Sequence, residues 1–88
     1  MIDQNWTVYI IQSKEGKLYT GITKNLELRF KAHQNKKGAR FFHFSAPQEI
    51  LFCEIHPNRS ESSKREAAIK KLSRKKKLEL ISESFNKK

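Results

Sequence analysis

The sequence has one cysteine in 88 residues, so no disulfide can form within the chain. Its apolar runs are only a few residues long, far below the ~18 residues of a membrane span. No signal peptide is read at its start. One cysteine and no signal point to a reducing, cytoplasmic setting. Cys53 lies in the apolar run ILFCEI, where a small buried hydrophobe is expected rather than a reactive thiol. Internal repeats are absent, and the only low-complexity tract is Arg74-Lys75-Lys76-Lys77. Acidic residues are also scarce: 9 Asp and Glu stand against 19 Lys and Arg.

What is present is a strong positive charge, net +10. From Pro57 to Lys88 there are 11 basic and 4 acidic residues, so most of the excess lies in the C-terminal third. Such asymmetry attracts polyanions, nucleic acid before an anionic membrane. A solvated basic helix that only aids solubility is the plainer reading. The length suits a single domain over residues 1–88, with a core from about 6 to 83, and a monomer is expected.

Thr7–Gln12 and Lys17–Thr23 read as strands rich in β-branched and aromatic residues. Asn25 is a candidate N-cap for a helix from Leu26 to about Asn35, ending in Lys36-Lys37-Gly38. Gly38–Pro47 reads as a loop that contains Phe41-Phe42-His43-Phe44, and Gln48–Ile55 as a third strand. Helices are expected from Ser60 to about Ser73 and over Lys75–Ser82. The fold class is therefore α+β, a small antiparallel three-stranded sheet flanked by helices in the order β-β-α-β-α-α.

The hairpin decides which side chains share a face. A three-residue loop, Lys14-Glu15-Gly16, with Gly16 left-handed, pairs Ser13 with Lys17, Ile11 with Tyr19 and Tyr9 with Gly21. Paired residues point to one side. Tyr9, Tyr19 and Gly21 then lie together, while Val8, Ile10, Leu18, Thr20 and Ile22 face the other way. The bare backbone at Gly21 leaves room for the Tyr9 ring or for a ligand. Two tyrosines on one face are otherwise ordinary packing residues with hydroxyls at the rim.

Two further features bear on function. Arg29 and His33 are four apart and so neighbours on one helix face. Arg grips phosphate oxygens in a fork and His moves protons, so the pair suits phosphate chemistry. Glu66 is a lone carboxylate in the basic stretch Ser63-Lys64-Arg65-Glu66-Ala67-Ala68-Ile69-Lys70-Lys71-Leu72. It could close a capping box with Ser63, form a surface ion pair, or, if the helix starts near Ser60, cap nothing.

In this order the residues resemble the GIY-YIG nuclease superfamily. Val8-Tyr9-Ile10 and Tyr19-Thr20-Gly21 correspond to the two elements that name it. Arg29 matches its helix arginine, His33 the histidine a turn later, and Glu66 its metal-binding glutamate. The resemblance spans about Trp6 to Ile81 and is nearest to small stand-alone bacterial members. Thr7 or Val8 stands where many members have glycine, Gly38-Ala39-Arg40 leads into the Phe-rich stretch, and no asparagine follows Glu66 before Asn86.

The resemblance implies a metal-dependent endonuclease hydrolysing DNA phosphodiester bonds, on branched or single-stranded DNA. The alternative is a nucleic-acid-binding module whose site is weak or silent. It implies one Mg²⁺ (or Mn²⁺) on Glu66, Arg29 at the scissile phosphate, Tyr19 or His33 as base, and Tyr9 orienting water or phosphate. Lys70, Lys71, Arg74, Lys75 and Lys76, with the open backbone at Gly21, would contact nucleic acid. Phe41, Phe42 and Phe44 would stack on unpaired bases or else fill a small core.

Overall fold

The computed structural model describes residues 5–37 and 40–86, without the side chains of His43, Phe44 and Asn86. β1 (Trp6–Ser13) and β2 (Leu18–Thr23) form the hairpin, followed by α1 (Leu26–Gln34) and a four-residue helix α2 (Phe41–Phe44). β3 (Pro47–His56), α3 (Arg59–Lys70) and α4 (Arg74–Asn86) complete the chain. The three strands form one antiparallel sheet in the order β2-β1-β3. The expected β-β-α-β-α-α order therefore holds, with α2 added where Gly38–Pro47 reads as a loop. Of that stretch, Gly38 and Ala39 lie outside the described residues.

The hairpin forms as the sequence dictates. Gly16 has φ 84°, which favours glycine, and the Ser13 amide donates to the Lys17 carbonyl at 2.8 Å. The register pairs Tyr9 with Gly21 and Ile11 with Tyr19. β3 begins at Pro47, a position where a missing N–H costs least, and its register against β1 shifts after Ile10 and again after Gln12.

Alternation along β1 divides the interior in two. Val8 and Ile10 meet Phe52, Ile69 and Ile81 beneath α3 and α4, with Leu18, Ile22, Leu51 and Leu80 around them. Tyr9 and Ile11 meet Phe42 on the other side, with Tyr19, Leu26, Phe30 and Phe41 around them. Helices thus cover both faces. Burying each large apolar side chain contributes roughly 1.5–3 kcal/mol.

The caps set where the helices point. Asn25 is the N-cap of α1, its Oδ1 accepting from the Leu28 amide at 3.1 Å. The helix stops at Gln34, and Lys36 takes the left-handed conformation, φ 60°, just beyond it. α3 starts earlier than the Ser60 expected, because Asn58 caps it: its Oδ1 accepts from the Glu61 amide at 2.9 Å. Ser73, expected as the end of α3, instead caps α4, its Oγ accepting from the Lys76 amide at 3.2 Å. α4 also runs past Ser82, to Asn86.

Candidate active site

Tyr9 crosses from β1 over its neighbour β2. A Cβ placed on Gly21 would lie 2.5 Å from the Tyr9 hydroxyl oxygen and 2.7 Å from its Cζ, so only glycine admits the ring there. Tyr19 joins from the same face, its ring centroid 6.2 Å from that of Tyr9. Because β2 is an edge strand, the Tyr9 hydroxyl is carried toward the rim of the sheet.

α1 brings Arg29 and His33 to the same place. The Tyr9 hydroxyl and His33 Nε2 are 3.0 Å apart, both residues fully buried. The His33 ring packs against Phe42 at 4.5 Å and Tyr19 at 5.5 Å between centroids. Burial, aided by the Arg29 charge, pushes the His33 pKa down to about 4, so the imidazole is neutral at pH 7. Burial pushes the Tyr9 phenol up to about 12; hydrogen bonding and charge from Arg29 oppose the rise, while Tyr19 and Glu66 add to it. Tyr9 is thus a protonated hydroxyl, and it donates to Nε2 in the tautomer that carries its proton on Nδ1.

Glu66 arrives from the other layer. Ile69 of α3 faces the aliphatic core, and Glu66, three residues earlier, lies about 60° round the helix on its flank. α3 packs chiefly on β1 and β2, and the Glu66 charge helps to raise the Tyr9 phenol. With Asn58 as the cap, Glu66 lies two turns into α3 and caps nothing, which removes the capping-box reading. Its carboxylate pairs with Lys70 at 3.2 Å and remains partly accessible.

The arrangement therefore joins Tyr9, Tyr19, Arg29, His33, Glu66 and Gly21, drawn from four elements. One atom in it is unsatisfied: Arg29 Nε is buried with no hydrogen-bond partner among the described residues. A buried guanidinium donor without an acceptor is costly unless a ligand oxygen completes it. No group of three or more His, Cys, Asp or Glu side chains that could hold a metal occurs among the described residues. The residues still fit Mg²⁺, which commonly takes one or two carboxylates and completes its shell with water and substrate phosphate. Glu66 would be its ligand from the chain.

The basic residues divide. All five are exposed; Lys70 pairs with Glu66 and Lys76 with Glu79, whereas Lys71, Arg74 and Lys75 have no ion pair among the described residues. The first turn of α4 carries basic side chains and no acidic one, against the preference of a helix N-terminus. Phe42 is a core residue, 1% exposed, and does not stand out for base stacking; Phe41 is half-buried beside it. Phe44's side chain lies outside the described residues. Cys53, expected to be buried, is exposed on the Tyr9 side of edge strand β3.

The sequence reading missed the Glu54-Arg65-His56 cluster that ties α3 to β3. Glu54 Oε1 accepts from Arg65 Nε at 2.9 Å and lies 2.7 Å from His56 Nε2. Burial raises the Glu54 carboxyl, but hydrogen bonds from His56 and Arg65 and the Arg65 charge outweigh it and hold it below its usual range. The available signal was the i, i+2 spacing of Glu54 and His56, which puts both on one strand face.

Comparison with known proteins gives the family of the chain. A profile described as the GIY-YIG catalytic domain matches residues 5–79, and the chain belongs to the GIY-YIG family. It is similar to proteins designated UPF0213. One from Staphylococcus saprophyticus is 43% identical over 76 residues, covering 86% of this chain and 93% of that one. One from Clostridium perfringens is 47% identical over 75 residues, covering 85% and 81%. The solution NMR structure of a UPF0213 protein from Bacillus halodurans superposes with a TM-score of 0.58 at 36% identity, covering 89% of this chain and 83% of that one. No helix among the described residues is long and apolar enough to cross a membrane.

Proposed function

We propose that this protein is a divalent-metal-dependent endonuclease that hydrolyses phosphodiester bonds in DNA, on branched or single-stranded substrates. The observation that carries the reading is the buried Arg29 Nε, without a hydrogen-bond partner among the described residues, on a guanidinium that also acts on the Tyr9 hydroxyl. Family membership and the net charge of +10 support a polyanionic substrate.

In this reading Arg29 takes a phosphate oxygen through its free donor and offsets charge that develops at phosphorus. Tyr9, held protonated, is not the base; with its one proton given to His33 Nε2, its oxygen orients water by accepting a hydrogen bond from it. Tyr19 deprotonates the attacking water. His33 is neutral and stands ready as the alternative base or as a relay through Tyr9. Glu66 would hold Mg²⁺ or Mn²⁺, which would supply Lewis acidity for the phosphate and its attacking water. Lys71, Arg74, Lys75 and Lys76 follow the backbone through phosphate contacts, which position DNA without reading its sequence.

A nicking assay on plasmid and branched DNA, with Mg²⁺, Mn²⁺ or chelator, tests the proposal. Wild type cleaves only with metal, and Arg29→Lys, which keeps the charge and loses the planar fork, falls by about 100-fold in turnover with little loss of binding. No cleavage by wild type with either metal, alongside retained DNA binding, makes the protein a binding module instead.

A further inference from the structure

The chain contains one tryptophan, Trp6, at the start of β1. Two cations approach its ring: Lys24 Nζ at 5.9 Å and Arg59 Cζ at 5.4 Å from the centroid. Lys24 follows β2, and Arg59 is the first residue of α3. Both are exposed, and neither forms an ion pair among the described residues, whereas Lys17, Lys64, Arg65, Lys70 and Lys76 each have a carboxylate partner. A half-buried indole flanked by two uncompensated cations suits a nucleotide: the ring takes a base, and the cations take its phosphates.

Placement strengthens this. Arg59 and Glu66 are seven residues apart on α3, hence on one stripe within about 20° and roughly 10 Å apart. Trp6 precedes Tyr9 by three residues, about 10 Å along β1, so by strand alternation it faces the α3 side with Val8 and Ile10 while Tyr9 faces the other. The patch therefore lies on the α3 side of the sheet, and the α3 stripe from Arg59 to Glu66 leads from it toward the candidate active site, about three nucleotides away at the ~3.4 Å spacing of one strand.

We infer that Trp6, Lys24 and Arg59 form a docking site for an unpaired nucleotide of single-stranded DNA whose strand continues along the α3 stripe toward Glu66. The inference rests on the nucleic-acid reading above and specifies which part of the substrate is unpaired.

Because Trp6 is unique, its emission reports the contact directly. Wild-type protein in chelator, where cleavage cannot proceed, is titrated with an end-labelled oligothymidylate of about ten nucleotides, a length in the ~4–16 range of small single-strand modules. A blunt hairpin duplex of equal charge is the control. Label anisotropy reads binding, and Trp6 fluorescence reads stacking. The single strand is expected to quench Trp6 at least twofold more than the duplex does at saturation.

Trp6→Ala should weaken single-strand binding by about 5- to 100-fold, the range of one lost base stack. Lys24→Ala with Arg59→Ala leaves the ring in place, and should make the single-strand salt slope shallower by about 1.4, at ~0.7 per phosphate. Binding seen by anisotropy with no change in Trp6 emission, or equal quenching by duplex, overturns the docking site and leaves the nuclease reading intact. If neither DNA binds, both readings are overturned.

Discussion

On the face covered by α3 and α4, Val8, Ile10, Phe52, Ile69 and Ile81 meet as a mainly aliphatic core. On the face covered by α1 and α2, rings meet instead: Tyr9, Tyr19, His33, Phe41 and Phe42 lie with centroids 4.5–6.2 Å apart. The first face buries mostly carbon, with the Thr20 hydroxyl, unpartnered among the described residues, and Ser62 of α3 as its polar exceptions. The second buries a phenol, an imidazole and a guanidinium nitrogen, and leaves the last without a partner among the described residues. Polar burial of this kind costs stability unless hydrogen bonds satisfy it. Buried titratable groups mark the second face, where the proposed chemistry is placed, and Gly21 is where that face opens to the rim.

The contrast can be broken most strongly from the aliphatic side. Ile69→Ala is expected to cost roughly 2–5 kcal/mol, through lost transfer energy and a cavity among Val8, Ile10 and Phe52. Urea denaturation reads it directly; a loss under 1 kcal/mol would mean that α3 is not seated as described.

Acid attacks the other face. His33 titrates near 4 in the folded protein and near 6.5 when unfolded, so the unfolded chain binds the extra proton first. Stability contributed by neutral His33 is complete above about pH 6.5 and is lost as pH falls toward 4, by at most about 3 kcal/mol. His33→Gln should flatten that part of the stability profile, and an unchanged slope would place the acid sensitivity elsewhere.

Gly21→Ala sharpens the comparison. The new Cβ must displace the Tyr9 phenol, at an expected cost of about 1–3 kcal/mol. Because the aliphatic face is untouched, the protein still folds, while cleavage falls by at least tenfold as Tyr9 leaves His33 and Arg29. Activity at the wild-type level in a folded Gly21→Ala protein would separate Tyr9 from the chemistry. The smallest effect is expected at Cys53→Ser, within about 0.5 kcal/mol, since the thiol is exposed.

The hairpin half was legible in the sequence because its information is local. Gly16 marks the turn, the turn sets the register, and the register puts Tyr9 on Gly21; Asn25 then caps α1 and aims Arg29 and His33. The β3 half was less legible. ILFCEI reads as a buried run, but on an edge strand Cys53 and Ile55 are left exposed. Phe41–Phe44 lacks a side-chain cap and forms a helix because Phe42 packs into the ring cluster, a tertiary effect with no local signature. Glu66 had three local readings, and only the start of α3 at Asn58 decided among them. Contacts to Trp6 from Lys24 and Arg59 join three elements and could not be read from spacing.

The most direct test of the account is Glu66→Gln. Losing the ion pair to Lys70 costs under about 1 kcal/mol, because the lysine is exposed, so the melting temperature should hardly move. DNA binding without metal should persist or strengthen, since a negative charge leaves a basic surface. Metal-dependent cleavage should collapse, because a neutral amide is a poor sole ligand for Mg²⁺. A stable, DNA-bound, inactive protein is the predicted result; Glu66→Gln that cleaves with metal as fast as wild type would contradict it.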